Sequence, residues 1–110
     1  MKLPHGGEAV VPLRKLTEYL LSESHLVGSS KAAFFRNLGI DQDRVEVLKK
    51  ALLTIARDEN VVEDVSSPHG IKYVVNGVIE TPSGVAATVR TIWIIESGQD
   101  RPRFVTAYPK

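Results

Sequence analysis

Hydrophobic side chains repeat along this sequence with two different periods. In the first half they recur every three or four residues, a spacing that places them on one side of a helix. From Ile71 onward they alternate with polar side chains, as in strands with one buried face, and Gly, Pro, Ser and Asn mark the turns. Helices followed by strands predict an α+β fold, with about three N-terminal helices packed on one face of a C-terminal antiparallel β-sheet.

Two helices are predicted in the first part of the chain. The first covers residues 12–24, where Pro12 suits a helix start and apolar side chains form a stripe. The members of this stripe are Leu13, Leu16, Tyr19 and Leu20. The second helix runs from about Ser30 to Leu38, with Gly39 as its C′ residue. Because it is short, it must depend on packing for its stability.

The third helix has the clearest amphipathic pattern. Asp41 or Asp43 caps its start, and it ends near residues 57–60. Its apolar stripe consists of Val45, Leu48, Leu52 and Ile55. A meander of three to four antiparallel strands follows, with candidate strands at residues 71–79, 85–95 and 103–108. An additional short strand is predicted over residues 8–11.

Strand parity divides the side chains of the predicted sheet into two faces. The odd-numbered face is apolar and includes Tyr73, Val75, Ile79, Val89, Thr91 and Trp93. The even-numbered face is more polar and includes Lys72, Asn76, Thr88, Arg90, Thr106 and Tyr108. The register that keeps apolar side chains together pairs Trp93 with Val105, Ile92 with Thr106 and Arg90 with Tyr108. This register gathers Thr88, Arg90, Thr106 and Tyr108 in one place.

The composition of the chain excludes several classes of protein and several kinds of site. The chain has 110 residues, 43% of them hydrophobic and 25% charged, which predicts one globular domain over residues 1–110. No run approaches the roughly 20 apolar residues of a membrane span, and the N-terminus lacks the apolar core of a signal peptide, so we expect a cytoplasmic protein. The absence of cysteine excludes disulfides, a thiolate nucleophile and cysteine-ligated zinc. The three histidines lack metal-ligand spacing, and we expect neither a metal nor a cofactor.

Charge is unevenly distributed along the chain. The net charge of +1 excludes the strongly basic class of proteins that coat nucleic acid without specificity. Any site for a polyanion must therefore be local. The acidic stretch from Asp58 to Asp64 is either a contact surface or a solvated loop. Cationic side chains lie elsewhere, at Lys31, Arg36, Arg90, Arg101 and Arg103.

The segment ahead of the second helix is suited to binding an anion. The first N–H groups of a helix lack internal partners, so Gly28, Ser29, Ser30 and Lys31 together offer backbone donors, hydroxyls and an ammonium to a phosphate. The segment is not a P-loop, because the Gly-x-x-x-x-Gly-Lys-Ser/Thr pattern is missing. His25 precedes it, and imidazole is a suitable proton shuttle when a ribose 2′-hydroxyl cleaves a phosphodiester without a metal. A simpler interpretation stays open, in which Ser29 or Ser30 is an ordinary N-cap and His25 a surface residue.

Two distant parts of the chain supply the groups for that reaction. His25, Lys31, Arg90 and Tyr108 provide a base, an acid and cations where charge develops on the phosphate. We therefore expect the side chains of His25 and Lys31 to face the same cleft as Arg90 and Tyr108. An arginine on the polar face of a strand is also often simply solvated, and that alternative is kept.

Several segments together resemble a known family. They are "KLTEYLL", "SKAAFFRNLG" after a His and a Gly, "HGIKYVV", "TVRTIWII" and "DRPRFVTAYP". In this order they resemble a family of small uncharacterised bacterial proteins, related to domains at the C-terminal ends of polymorphic-toxin and phage-associated proteins. The likeness covers nearly the whole chain. That family is similar in plan to the ribonuclease fold shared by barnase, EndoU, colicin and RelE toxins.

The resemblance implies a metal-independent endoribonuclease that acts as a toxin, with RNA as substrate and a cognate antitoxin or immunity protein as partner. The family pattern carries over to His25, Gly28, Lys31, Arg90, Thr91, Trp93, Thr106 and Tyr108. By parity, Thr91 and Trp93 belong to the core rather than to the catalytic set. The expected catalytic set is His25, Lys31, Arg90, Thr106 and Tyr108, and the expected substrate-binding set is Gly28, Ser29, Ser30 and Thr88.

The sequence also departs from the family pattern. Leu26 and Val27 stand where proline often follows the histidine, His69 stands where an aromatic residue is common, and Val105 replaces a frequent threonine. The missing hydroxyl at Val105 keeps a further interpretation open, in which the chain is a degenerate, noncatalytic member of the family. Two further functions therefore stay open: a noncatalytic module of the same fold that docks a partner protein, and a nucleic-acid binder that does not cleave.

Overall fold

The structure is a computed structural model that describes residues 1–21, 29–81 and 84–110, with residues 29–32 described by their backbone. Helices come first and a four-stranded antiparallel sheet follows, which confirms the predicted α+β class. The helices are α1 (Leu13–Lys15), continued by a π-helical turn (Leu16–Leu20), α2 (Ser29–Asn37) and α3 (Val45–Asp58). The strands are β1 (Val61–Ser67), β2 (Gly70–Glu80), β3 (Ala86–Glu96) and β4 (Arg103–Pro109). No helix in the described ranges is long and apolar enough to cross a membrane.

The first helix differs from its prediction in its winding. After α1 the backbone widens into the π-helical turn, in which the N–H of Leu21 donates to the C=O of Leu16 over 2.7 Å. Leu16 and Leu20 are buried as predicted, and Leu21 joins them. Leu13 remains 43% exposed, so it is not part of the buried stripe. Residues 22–24, which the prediction assigned to this helix, lie outside the described residues.

The predicted glycine signal after α2 is confirmed, whereas the predicted aspartate cap belongs to a turn ahead of α3 and not to α3 itself. Gly39 follows α2 with φ of 85°, the left-handed conformation that favours glycine at C′. The Asp41 side chain accepts a hydrogen bond of 3.0 Å from the backbone N–H of Asp43, ahead of a 3₁₀ turn (Gln42–Arg44) that leads into α3. The buried residues of α3 are Leu48, Leu52, Ile55 and Ala56.

The strands lie in the sheet in chain order, β1-β2-β3-β4. β2 and β3 pair without interruption from Gly70 opposite Glu96 to Glu80 opposite Ala86. We call the face with the odd-numbered residues of β2 and β3 the helix face, because its side chains form the core with the helices, and the opposite one the distal face. The parity prediction for the middle of these strands is therefore confirmed.

Two predictions at the margins of the sheet are wrong. The stretch from Asp58 to Asp64 is not a loop, because Asp58 ends α3 while Glu63 and Asp64 lie in β1. The sequence lacks a strand pattern here because β1 is exposed on both faces and so needs no alternation. Residues 8–11 form no strand; Val10 makes only an isolated parallel bridge to Arg103 of β4.

The helix face is packed tightly enough to require a glycine. A Cβ built on Gly77 of β2 would lie 2.6 Å from Cγ1 of Ile55 in α3, so the missing side chain lets α3 approach the sheet. On the neighbouring strands, Trp93 and Phe104 are fully buried and stack edge to face, with ring centroids 5.4 Å apart. These contacts join α3 and the strand pair β3-β4 into one core.

A bulge changes the predicted pairing of β3 with β4. Arg90 opposes Tyr108 and Ile92 opposes Thr106, as predicted. The register then shifts between Ile92 and Trp93, so that Trp93 opposes Phe104 and the predicted partner, Val105, is wrong. Simple alternation would place Phe104 on the same face as Thr106, and the extra residue of the bulge turns the large ring into the core instead.

Candidate functional site

Three polar side chains form a row across the distal face. Arg90 in the middle of β3 opposes Asn76 of β2 on one side and Tyr108 of β4 on the other. All three are half-buried, and Arg90 Nε donates a 3.3 Å hydrogen bond to Asn76 Oδ1. No acceptor among the described residues binds the two terminal nitrogens of Arg90. The row therefore holds a guanidinium by one edge while its fork of donors is left for an anion.

A hydroxyl pair lies one step along β4 from this row. Thr106 Oγ1 is 3.3 Å from the hydroxyl of Tyr19, which projects from the π-helical turn. The ammonium of Lys15 lies 4.9 Å from the centre of the Tyr19 ring, a cation–π contact. Tyr19 thus links the first helix to the strand that carries two of the predicted catalytic residues. Either hydroxyl of the pair can act as the donor.

A groove of about 420 Å³ has Tyr19 in its lining. Its lining includes three cationic side chains, Arg14, Lys15 and Arg103, together with Tyr19. Two of the cations are already paired: Arg14 Nε lies 3.1 Å from Glu18, and Arg103 Nη2 lies 2.7 Å from Glu96. The groove is therefore only moderately positive, which agrees with a net charge of +1 for the whole chain.

Three of the five predicted catalytic residues are thus brought together. Arg90, Thr106 and Tyr108 share the distal face of two paired strands. Thr88, predicted to bind substrate, lies on the same face of β3 and is exposed. Strand parity predicts Asn76 on the polar face but not as a partner of Arg90, because only the observed hydrogen bond distinguishes it from a solvated side chain. The helical period predicts Tyr19 in the apolar stripe, and its phenolic hydroxyl is the signal for a second role.

The other part of the predicted site is not described to the same extent. His25 and Gly28 lie outside the described residues. Ser29, Ser30 and Lys31 form the first residues of α2, as the predicted helix start requires, but their side chains are not described. Their convergence with Arg90 and Tyr108 therefore stays a prediction.

Two residues of the family pattern belong to the core and not to the candidate site. Thr91 and Trp93 are fully buried on the helix face. The hydroxyl of Thr91 donates to the backbone C=O of Val75 over 2.6 Å and accepts from Trp93 Nε1 over 2.8 Å. The two side chains thus satisfy each other inside the core and tie β3 to β2, away from the distal face.

Another histidine of the sequence is also remote from the row. His69 lies in the turn between β1 and β2, and its backbone N–H donates to Ser67 Oγ over 3.3 Å. The adjacent Gly70 opposes Glu96, six residues along β3 from Arg90, which corresponds to about 20 Å in an extended strand. His69 is therefore too distant to act on an anion bound at Arg90.

A solved structure shares this arrangement of helices and strands. A chain of the "Contact-dependent growth inhibition toxin - immunity protein complex from Klebsiella pneumoniae 342" matches with a TM-score of 0.75 and 20% sequence identity over 96% of both chains. At this identity the likeness establishes the fold. No curated protein sequence matches the chain significantly.

A family profile matches nearly the entire sequence. It covers residues 2–110 and carries the description "Domain of unknown function". This match confirms the resemblance to a family of uncharacterised proteins, and the fold is shared with a chain of the toxin–immunity protein complex. The chain belongs to the domain family of unknown function DUF6883.

Proposed function

We propose that this protein is a metal-independent endoribonuclease that acts as a toxin on RNA in the cytoplasm, as a single domain over residues 1–110. The observation that supports the proposal most directly is the row in which Arg90 stands between Asn76 and Tyr108. A guanidinium held at one edge and flanked by a phenol is suited to a phosphodiester, which needs both charge stabilisation and a hydrogen-bond donor.

The proposed reaction is a transfer within the RNA strand. A base, His25, removes the proton of a ribose 2′-hydroxyl, and the 2′-oxygen forms a bond to the adjacent phosphorus. The bond from phosphorus to the 5′-oxygen of the next nucleotide breaks, and that oxygen receives a proton from Tyr108. The products are a 2′,3′-cyclic phosphate and a free 5′-hydroxyl. Arg90 stabilises the charge that develops on the phosphoryl oxygens.

The remaining predicted residues orient the substrate in this proposal. Lys31 and the start of α2, with Gly28, Ser29 and Ser30, hold a phosphate oxygen. Thr106 fixes the position of the phosphate through its hydroxyl, and Tyr19, 3.3 Å away, orients Thr106. Thr88 contacts the neighbouring nucleotide from its exposed position on β3.

The experiment that tests this function incubates the purified protein with total RNA in excess chelator. We expect cleavage with 2′,3′-cyclic phosphate ends. Arg90→Ala should lower kcat by about 100-fold or more, the usual loss when one donor to a developing oxyanion is removed. His25→Ala should be inert. The matched control is a pair of Tyr→Phe variants, in which Tyr108→Phe slows cleavage while Tyr73→Phe, on the helix face, leaves the rate unchanged.

A second candidate function is a noncatalytic module that docks a cognate partner protein. It is favoured by the structural neighbour, which is described as a toxin–immunity protein complex, and by the loss of a hydroxyl at Val105. In that case RNA stays intact in the assay and Arg90→Ala changes nothing. If RNA instead is bound with a steep dependence on salt and is not cleaved, the protein is a nucleic-acid binder.

A further inference from the structure

The strand β1 (Val61–Ser67) is unusually exposed for a strand of a sheet that packs against helices. Six of its seven residues are exposed, including Val62 at 56% and Val65 at 51%. Among the described elements, its extensive contacts are with β2 alone. An edge strand of this kind presents unpaired backbone N–H and C=O groups beside apolar side chains, and these are the groups that accept an added strand.

The charge of this edge is acidic and is not neutralised locally. Glu63 and Asp64 form no ion pair with any side chain in the described part of the chain. The neighbouring Asp58 differs, because the Arg57 guanidinium hydrogen-bonds it at 2.7 and 2.9 Å and lowers the pKa of its carboxyl. Two cations flank the strand without pairing with these acids: Lys72 stands opposite Val65 on β2, and Lys2 bridges Asn60 just ahead of β1 and donates to the backbone C=O of Asp58. The free carboxylates are therefore those of the strand itself.

The register defines which part of β1 is straight and where its side chains point. A bulge between Val61 and Glu63 interrupts the pairing with β2, so the regular edge is Glu63 to Ser67. Glu63 opposes Val74 and Val65 opposes Lys72, which places both on the distal face. Asp64 opposes Tyr73 and lies on the other face. The edge thus offers two adjacent acids, one on each face, followed by an exposed valine.

We propose that the β1 edge docks an extended, basic segment of a partner protein, which adds to the sheet as a fifth strand. In the antiparallel arrangement, a β-branched residue of the partner lies opposite Val65 and the two following Lys or Arg residues lie opposite Asp64 and Glu63. Backbone hydrogen bonds supply the general affinity, and the cross-strand charges set the register. This surface is separate from the row around Arg90, and the inference does not depend on RNA cleavage.

A second copy of the same strand offers no cation to the acids of this edge, because Val61–Ser67 contains neither Lys nor Arg. Antiparallel self-pairing centred on Asp64 would place two Asp64 carboxylates opposite each other. Shifting the centre by half a residue would place Glu63 opposite Asp64 twice. Like charges directly opposed across a strand pair are destabilising. The register centred on Val65 avoids them by placing Asp64 opposite Ser66 and Glu63 opposite Ser67, but it offers the two acids no cation. A cationic partner is therefore the better match for this edge.

The test uses the acetylated and amidated peptide Thr-Val-Lys-Arg-Val-Thr as a probe. Titration into ¹⁵N-labelled protein should shift the amide signals of Glu63 to Ser66 with a dissociation constant in the millimolar range. The same peptide methylated on its four central backbone nitrogens keeps both charges but cannot form the strand hydrogen bonds. It should not bind.

Charge reversal on the protein provides the matched control. Glu63→Lys/Asp64→Lys should weaken binding by roughly tenfold or more, whereas Glu80→Lys/Asp100→Lys, with the same change in net charge at exposed positions elsewhere, should not. Three results would overturn the proposal: no shifts at about 5 mM peptide, equal binding of the methylated peptide, or shifts that map away from β1. None of these results bears on the RNA assay, so the two proposals fail separately.

Discussion

The two edges of the sheet differ in how they are built into the molecule. At the β4 edge, the N-terminal segment runs alongside the strand: the N–H of Val10 donates to Pro102 and the N–H of Phe104 donates to Val10, each over 2.9 Å. Phe104 and Ala107 are buried in the core. At the β1 edge, only the start of the strand is held, by a 2.7 Å hydrogen bond from the N–H of Val61 to the C=O of Met1.

This difference suits the two edges to two tasks, which are holding site residues in position and recognising another chain. The β4 side carries the candidate chemistry, because a site that must hold Arg90 and Tyr108 in fixed positions benefits from strands anchored by a core. The β1 side contributes little to the core and keeps its backbone accessible, which suits recognition of another chain. The sheet thus has one edge anchored in the core and one edge that the described part of the chain leaves largely exposed.

The largest expected difference between the β4 edge and the β1 edge is in the free energy of unfolding. Phe104→Ala on β4 removes a fully buried ring that stacks on Trp93, and we expect it to lower the free energy of unfolding by about 3 to 5 kcal/mol. Val65→Ala on β1 should change that free energy by no more than about 0.5 kcal/mol, because the side chain is already exposed. Urea denaturation followed by circular dichroism measures both. Equal losses at the two positions would show that the edges are equally integrated.

A loss of stability of intermediate size is expected at the strand pair β2-β3, which lies between the two edges of the sheet. Thr91→Val keeps the shape of a buried residue but removes the hydroxyl that binds Val75 and Trp93. Leaving these polar groups unsatisfied in the core should cost about 1 to 3 kcal/mol. Thr91→Ser retains the hydroxyl and is the control for the polar contribution. If Thr91→Val were as stable as the native protein, the buried hydrogen bonds would not be what joins the strands.

The same contrast explains how much of the fold was accessible from sequence. The helix stripes and the parity of β2 and β3 could be predicted, because burial on one face imposes a period on the residues. The strand β1 could not, because it is exposed on both faces and burial imposes no period on it. The pairing of Trp93 also could not, because alternation places Phe104 with Thr106, and only the bulge reverses that.

For the candidate site, sequence reasoning succeeded where register alone decides proximity. Arg90, Thr106 and Tyr108 belong to two neighbouring strands, and pairing that protects apolar residues brings them together. It failed for contacts between distant elements. Tyr19 reaches Thr106 from the first helix, 87 positions away along the chain, and the π-helical turn that carries it leaves no pattern in the sequence.

The smallest effect concerns that contact between Tyr19 and Thr106. The 3.3 Å separation of the two hydroxyls is long for an O–H···O hydrogen bond, so their coupling in stability should be only about 0.5 kcal/mol. A double-mutant cycle with Tyr19→Phe and Thr106→Val measures it, because each variant removes one hydroxyl and keeps the packing.

If Tyr19 serves to orient Thr106 for an RNA phosphate, Tyr19→Phe should slow cleavage more than so small a loss of stability explains. Slowing by Tyr19→Phe should also disappear when Thr106 is already Val. Equal slowing in both backgrounds would mean that Tyr19 acts on its own, and that the well-anchored edge contributes the hydroxyls independently rather than as a pair.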